Sequence, residues 1–193
     1  MAEVLLFHHV QGLTDGVKAF AVDLRAGGHV VHTPDLFDGQ TFDSIDDGFA
    51  YLKTLDDGVI DARVDAAVEG LPENLVYAGI SYGVPPAMRL AVTRPGARAL
   101  LELESAIPVV GEWAVGPFPD GVPVQIHGAE GDEFFQEDLP FAQETVEALG
   151  SERVELFVYP AGQHLFTDRS LPSYDAEAAA LVLRRSLEFL DRV

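Results

Sequence analysis

At 193 residues, 48% hydrophobic and without a cysteine, the chain has the size of one domain and offers no disulfide, thiolate metal site or cysteine nucleophile. Its formal net charge of −20 repels nucleic-acid backbones and anionic membranes, and an anionic substrate would need a local positive group to enter that field. The opening "MAEVLLFHHVQG" lacks a basic n-region, and no apolar run approaches the ~18 residues of a membrane span, so a cytoplasmic protein without membrane attachment is expected.

Residues 3–9, "EVLLFHH", form a short apolar run ended by polar residues and Gly12, which predicts a buried strand. In 15–28 the apolar positions Val17, Phe20, Ala21 and Leu24 have helical spacing, and Gly27-Gly28 ends the helix. A second strand over 29–35 leads into a loop through Phe37 and Phe42, and 46–69 reads as helical with a break near Gly58. "NLVYAGI" (74–80) is a third strand and 84–94 a helix. Strands follow at 98–104 and 122–128, then a helix over 139–150, a strand over 153–160 and a long amphipathic helix over 174–193 with Ala180, Leu183, Leu187 and Leu190 along one face. This alternation predicts a single α/β domain spanning 1–193, with a mostly parallel sheet and helices on both faces. Ligands in such sheets bind beyond the carboxyl ends of the strands, which directs attention to His8, His9, Val10, Asp35, Ser81, Tyr82, Glu104, Asp132 and His164.

One of these ends is "AGISYGV", a Gly-x-Ser-x-Gly pattern that follows a strand and opens a helix. The pattern describes a tight turn that holds a serine hydroxyl at the top of a sheet, with glycines where strand and helix approach closely. The following backbone N–H groups then stabilise an oxygen that becomes negative beside the serine. Pro85 and Pro86 suit a first helical turn, where a missing N–H costs little. A serine at such a place can equally be a helix cap. The distinction rests on what else the chain supplies.

A serine nucleophile needs a base, usually histidine, oriented by a carboxylate, and in α/β-hydrolases the order is Ser, Asp or Glu, then His. After the fifth strand comes "HGAEGDEFF" and after the sixth "YPAGQHLFTD", which place Asp132 and His164 on the same rim as Ser81, with Glu130 and Glu133 as rival acids. His8 and His9 sit beside that rim. Adjacent strand residues point to opposite faces, so they do not readily share a metal ion, and no metal site is expected.

The segments "PDLFDG", "AGISYGV", "VPVQIHGAEGDEFF", "AGQHLFTDRS" and "YDAEAAALVLRRSLEFL" resemble the dienelactone hydrolase family of α/β-hydrolases. The resemblance implies a compact α/β-hydrolase fold without a large lid and a Ser81–Asp132–His164 triad. It also implies an oxyanion hole from the backbone N–H groups of Tyr82 and Val10. The family's familiar members carry cysteine where this chain has Ser81, a glutamate near the position of His9, and a carboxylate-binding arginine where this chain reads Phe37-Asp38-Gly39. Arg169 lies near the family's other arginine. These departures favour a neutral or weakly charged ester, lactone or thioester over dienelactone, and hydrolysis or acyl transfer would use the same residues. A non-catalytic small-molecule binder on this scaffold is the competing reading. His9, Phe37, Trp113, Phe134, Phe166 and Arg169 are the expected pocket residues. The expected partner is a small substrate, with no cofactor, acting as a monomer or a homodimer.

Overall fold

In the first strand, β1 (Glu3–Phe7), Val4 and Leu6 pack into one hydrophobic cluster while Leu5 and Phe7 pack into a second. All four are fully buried, as happens when a strand lies inside a sheet covered on both faces. The computed structural model describes residues 1–193 and shows how that cover is built. After β1 come α1 (Asp15–Ala26), β2 (Val30–His32), α2 (Ile45–Leu52), α3 (Val59–Ala67) and β3 (Val76–Ile80). A 3-10 turn over Ser81–Gly83 leads into α4 (Val84–Thr93), then β4 (Ala99–Leu103), β5 (Val124–Ala129), α5 (Glu133–Leu149), β6 (Val154–Tyr159) and α6 (Ala176–Leu190).

The strands form one sheet in the order β2-β1-β3-β4-β5-β6, and every neighbouring pair is parallel. All the carboxyl ends therefore share one edge. The chain runs outward from β1 to β2 and then returns to place β3 on the other side of β1. This reversal opens a crevice beyond the ends of β1 and β3, where such sheets bind ligands. One cluster joins Val17, Phe20 and Leu24 of α1 and Val182 and Phe189 of α6 to one face of the sheet. The other joins Val64 of α3, Ala87 and Met88 of α4 and Phe135 and Ala142 of α5 to the opposite face. No helix is long and apolar enough to cross a membrane.

Two sequence expectations need correction. The helix expected over 139–150 begins at Glu133, because the Asp132 side chain caps it by accepting the N–H groups of Phe134 and Phe135. Pro140 lies inside this helix, and its missing N–H leaves one intrahelical bond unmade. In α6 the buried stripe is Ala178, Ala179, Val182, Ser186, Phe189 and Leu190, so Ala180 faces outward. Leu190 is fully buried in that stripe, and Leu183 and Leu187 pack half-buried against the same cluster, so of the four expected residues only Ala180 is displaced. The break near Gly58 falls where expected, with Gly58 in the left-handed region (φ 81°) just before α3.

Three buried titratable groups give stability an unusual dependence on pH. Burial pushes the Glu102 carboxyl up to about 8. Burial lowers His127 to about 3 and His8 to about 4. A carboxyl that stays protonated in the fold but ionises on unfolding makes stability fall as pH rises from about 4.5 to about 8. Histidines neutral in the fold but protonated on unfolding make stability fall as pH drops from about 6.5 towards about 4. The melting temperature is therefore expected to peak near pH ~6 and to decline towards pH ~8. Glu102→Gln should flatten that decline. Thermal melts across this range check it, and an unchanged decline in Glu102→Gln would assign the effect elsewhere.

Candidate active site

The turn after β3 is held by contacts that only glycine permits. A Cβ at Gly79 would lie 2.1 Å from the Gly83 carbonyl oxygen, and one at Gly83 would lie 2.4 Å from the Phe7 carbonyl oxygen at the end of β1. The turn thus folds back on itself and presses against the end of the neighbouring strand β1. Ser81 between them has φ 51°, a left-handed conformation unusual for a residue with a side chain. Its side chain makes no capping bond. Instead Ser81 Oγ lies 2.7 Å from His164 Nε2.

His164 stands in the loop between β6 and α6. Its Nδ1 lies 2.6 Å from Asp132 Oδ2. A carboxylate can only accept there, so Nδ1 carries the proton and Nε2 is left to accept from the Ser81 hydroxyl. Asp132 is fully buried, and its other oxygen, Oδ1, accepts the N–H groups of Phe134 (3.0 Å) and Phe135 (3.2 Å) at the start of α5. Both carboxylate oxygens are therefore committed, which fixes the group that faces His164. Glu130 and Glu133, the rival acids, are exposed and make no bond to His164. The Phe134 ring lies 4.8 Å from the His164 ring and shields it.

Two further carboxyls hold the His164 loop. Glu104, buried at the end of β4 with φ 62°, accepts both the N–H (3.0 Å) and the hydroxyl of Thr167 through Oε1. Asp168 Oδ2 accepts from His9 Nε2 (2.8 Å) and the Thr14 hydroxyl (2.5 Å), and Oδ1 accepts from the Ser170 N–H (2.8 Å) and hydroxyl (2.6 Å). Burial alone would raise the Asp168 carboxyl, but these hydrogen bonds, led by His9, bring it down to about 2. The loop is thereby tied to β4 on one side and to β1 and α1 on the other. His8 turns away from this network. Its Nε2 accepts the Leu36 N–H (3.0 Å), so its Nδ1–H donates to the His9 carbonyl (2.8 Å).

Ser81 and His164 open onto a cleft of about 190 Å³, lined also by Val10, Ile45, Phe49, Tyr82, Pro85, Glu104, Ser105, Phe134, Glu137 and Asp138. Tyr82 and Val10, the expected oxyanion residues, are both there, and the Val10 N–H donates to no backbone carbonyl. A larger groove of about 390 Å³, near Leu13, Asp35 and Phe42, contains neither Ser81 nor His164.

Of the six expected pocket residues only Phe134 lines the cleft. His9 is spent on Asp168 and Gln11 and is fully buried. Phe37 packs in the core against His8 and Tyr51, touching the site only through the Tyr82 ring. Phe166 is buried against Tyr159. Trp113 is 77% exposed in the segment between β4 and β5. Arg169 pairs with Asp23 of α1 and not with the cleft. Position near a strand end does not determine which way a side chain turns. Ile45 and Phe49 of α2 were missed because only the tertiary fold brings that helix over the site. Asp168 was missed because nothing in "TDRS" marks it among 32 acids.

The fold that carries this geometry is shared with known proteins. Residues 120–193 match the model of the dienelactone hydrolase family. Among solved structures, a dienelactone hydrolase-like promiscuous phosphotriesterase from metagenomic libraries superposes with a TM-score of 0.74 at 21% identity, covering 100% of this chain and 86% of its own. A thermophilic esterase from Thermogutta terrifontis gives 0.64 at 17% identity, with 99% and 83% covered. A carboxyl esterase from the fungus Tuber melanosporum gives 0.68 at 13% identity, with 98% and 77% covered. A search of curated protein sequences finds no match. Sheet order, the glycine-flanked turn and these superpositions agree that the chain has the α/β-hydrolase fold, and its carboxyl-terminal part, residues 120–193, is matched by the dienelactone hydrolase family.

Proposed function

We propose that the protein is a serine-dependent hydrolase of small esters or lactones that acts through an acyl-enzyme at Ser81. The observation that carries this reading is the continuous hydrogen-bonded chain Ser81 Oγ–His164 Nε2 (2.7 Å) and His164 Nδ1–Asp132 Oδ2 (2.6 Å). In this reading Ser81 Oγ attacks the substrate carbonyl as its proton passes to His164 Nε2. Asp132 holds the ring in the required tautomer and stabilises the imidazolium. The carbonyl oxygen, now negative, takes hydrogen bonds from the Tyr82 and Val10 N–H groups. His164 returns its proton to the leaving oxygen, and a water then repeats the sequence to release the acid and restore Ser81. The cleft volume, about 190 Å³, favours a short acyl group or a small ring. These steps call on no cofactor.

The test is covalent. A fluorophosphonate probe is expected to label Ser81, located by mass spectrometry of the digested adduct, and labelling should vanish in His164→Ala. A folded protein that resists the probe and turns over no member of a nitrophenyl-ester panel is not a serine hydrolase.

A further inference from the structure

The lining of the cleft has a chemistry that the steps above do not use. Three of its residues carry carboxyls, Glu104, Glu137 and Asp138, and three are aromatic, Phe49, Tyr82 and Phe134, while no lysine or arginine reaches it. Glu137 is exposed at the cleft. Asp138 accepts from the Ser105 hydroxyl (2.7 Å) and the Ala106 N–H (3.3 Å). Glu104 is fully buried, and while Oε1 is taken by Thr167, Oε2 has no hydrogen-bond partner in the chain. A buried acceptor left without a partner is costly and calls for a donor or a positive charge beside it.

Aromatic faces joined to carboxylates are the means by which proteins hold ammonium groups, since the ring quadrupole attracts the cation and the carboxylate neutralises it. The whole chain adds to this effect, because a net charge of −20 attracts cations and repels anions over the surface. A carboxylate-bearing substrate would meet three acidic groups and no cationic partner in the cleft.

Resting on the serine-hydrolase reading, we propose that the cleft selects esters bearing an ammonium group, held by the Glu104, Glu137 and Asp138 carboxyls and the faces of Phe49, Tyr82 and Phe134. Burial raises both the Glu104 and the Asp138 carboxyls.

The experiment compares matched esters. Butyrylcholine is set against its neutral carbon isostere, 3,3-dimethylbutyl butyrate, and against 3-carboxypropyl butyrate. On the acyl side, the ethyl ester of betaine is set against ethyl 3,3-dimethylbutyrate. In at least one set the cation should have the higher kcat/KM by roughly tenfold beyond the ratio of the two esters' own alkaline hydrolysis rates, and the carboxylate ester should be the poorest substrate. The preference should shrink when NaCl is raised from tens of millimolar to half molar, because screening shortens the reach of the field. It should also shrink in Glu137→Gln and in Glu104→Gln, read as the ratio of cationic to neutral ester within each variant. A kcat/KM ratio of cation to isostere no greater than that alkaline ratio in both sets, in a protein whose Ser81 takes the fluorophosphonate, overturns the ammonium site and leaves the serine-hydrolase reading standing. A protein that neither takes the probe nor cleaves any of the esters loses the serine-hydrolase reading and this site with it.

Discussion

Asp132→Asn is expected to lower kcat for ester hydrolysis by up to ~10⁴-fold while leaving the fold in place. The two effects separate because the two carboxylate oxygens have separate tasks. Oδ1 caps α5 through the Phe134 and Phe135 N–H groups, and the amide oxygen of asparagine can do the same. Oδ2 accepts a hydrogen bond from the His164 Nδ1–H, which an amide NH₂ in its place cannot. The ring would then favour the tautomer with its proton on Nε2, facing Ser81, and could no longer accept from the hydroxyl. Asp132→Ala should lose the rate and also about 1 kcal/mol of stability from the missing cap. Steady-state kinetics on a nitrophenyl ester and a thermal melt measure both. A wild-type rate in Asp132→Asn would mean that His164 is oriented by another group.

The second large effect falls on the fold itself. In Gly79→Ala the new methyl would sit 2.1 Å from Gly83 O, 2.2 Å from Gly83 C and 2.4 Å from Val84 N, all of them backbone atoms that no rotamer change can move. Overpacking of this kind costs ~1–3 kcal/mol or more, which for a chain of this length is a fall in Tm of several degrees, about 2–4 °C for each kcal/mol. Activity should fall at temperatures where the variant is still folded, because relief of the clash displaces Ser81. Gly162→Ala is the control, since a Cβ there meets nothing within 4 Å and should leave the melt unchanged. A Gly79→Ala protein with normal Tm and rate would show that the turn has room the contacts deny.

What the sequence revealed and what it hid divide along a physical line. The apolar run of β1 and the stops at Gly27, Gly58 and Gly150 are local signals, and the boundaries they mark stand where expected within a few residues. Ser81, Asp132 and His164 were legible because each follows a strand, and a parallel sheet delivers all such positions to one edge. The start of α5 was placed six residues late because the Asp132 side chain both caps the helix and bonds His164, and the residue type alone does not reveal the first of these roles. The pocket was the least legible part. Side-chain direction in a loop depends on partners far along the chain, as when Asp168 captures His9, 159 residues away, and Asp23 captures Arg169, 146 residues away. The helix that brings Ile45 and Phe49 to the cleft likewise carries no mark of its destination.

The left-handed backbone at Ser81 also bears on how lineages of this protein would drift. A non-glycine residue held in that region costs of order 1–3 kcal/mol, which glycine would not incur. Selection for folding alone therefore works against a serine at position 81, whereas it works in favour of an acid at position 132, which caps α5 whether or not any chemistry takes place. In a gene copy released from its catalytic duty, the strained serine would be an early loss and the aspartate a late one. Among descendants of this chain, persistence of the serine is the more telling sign of continued use.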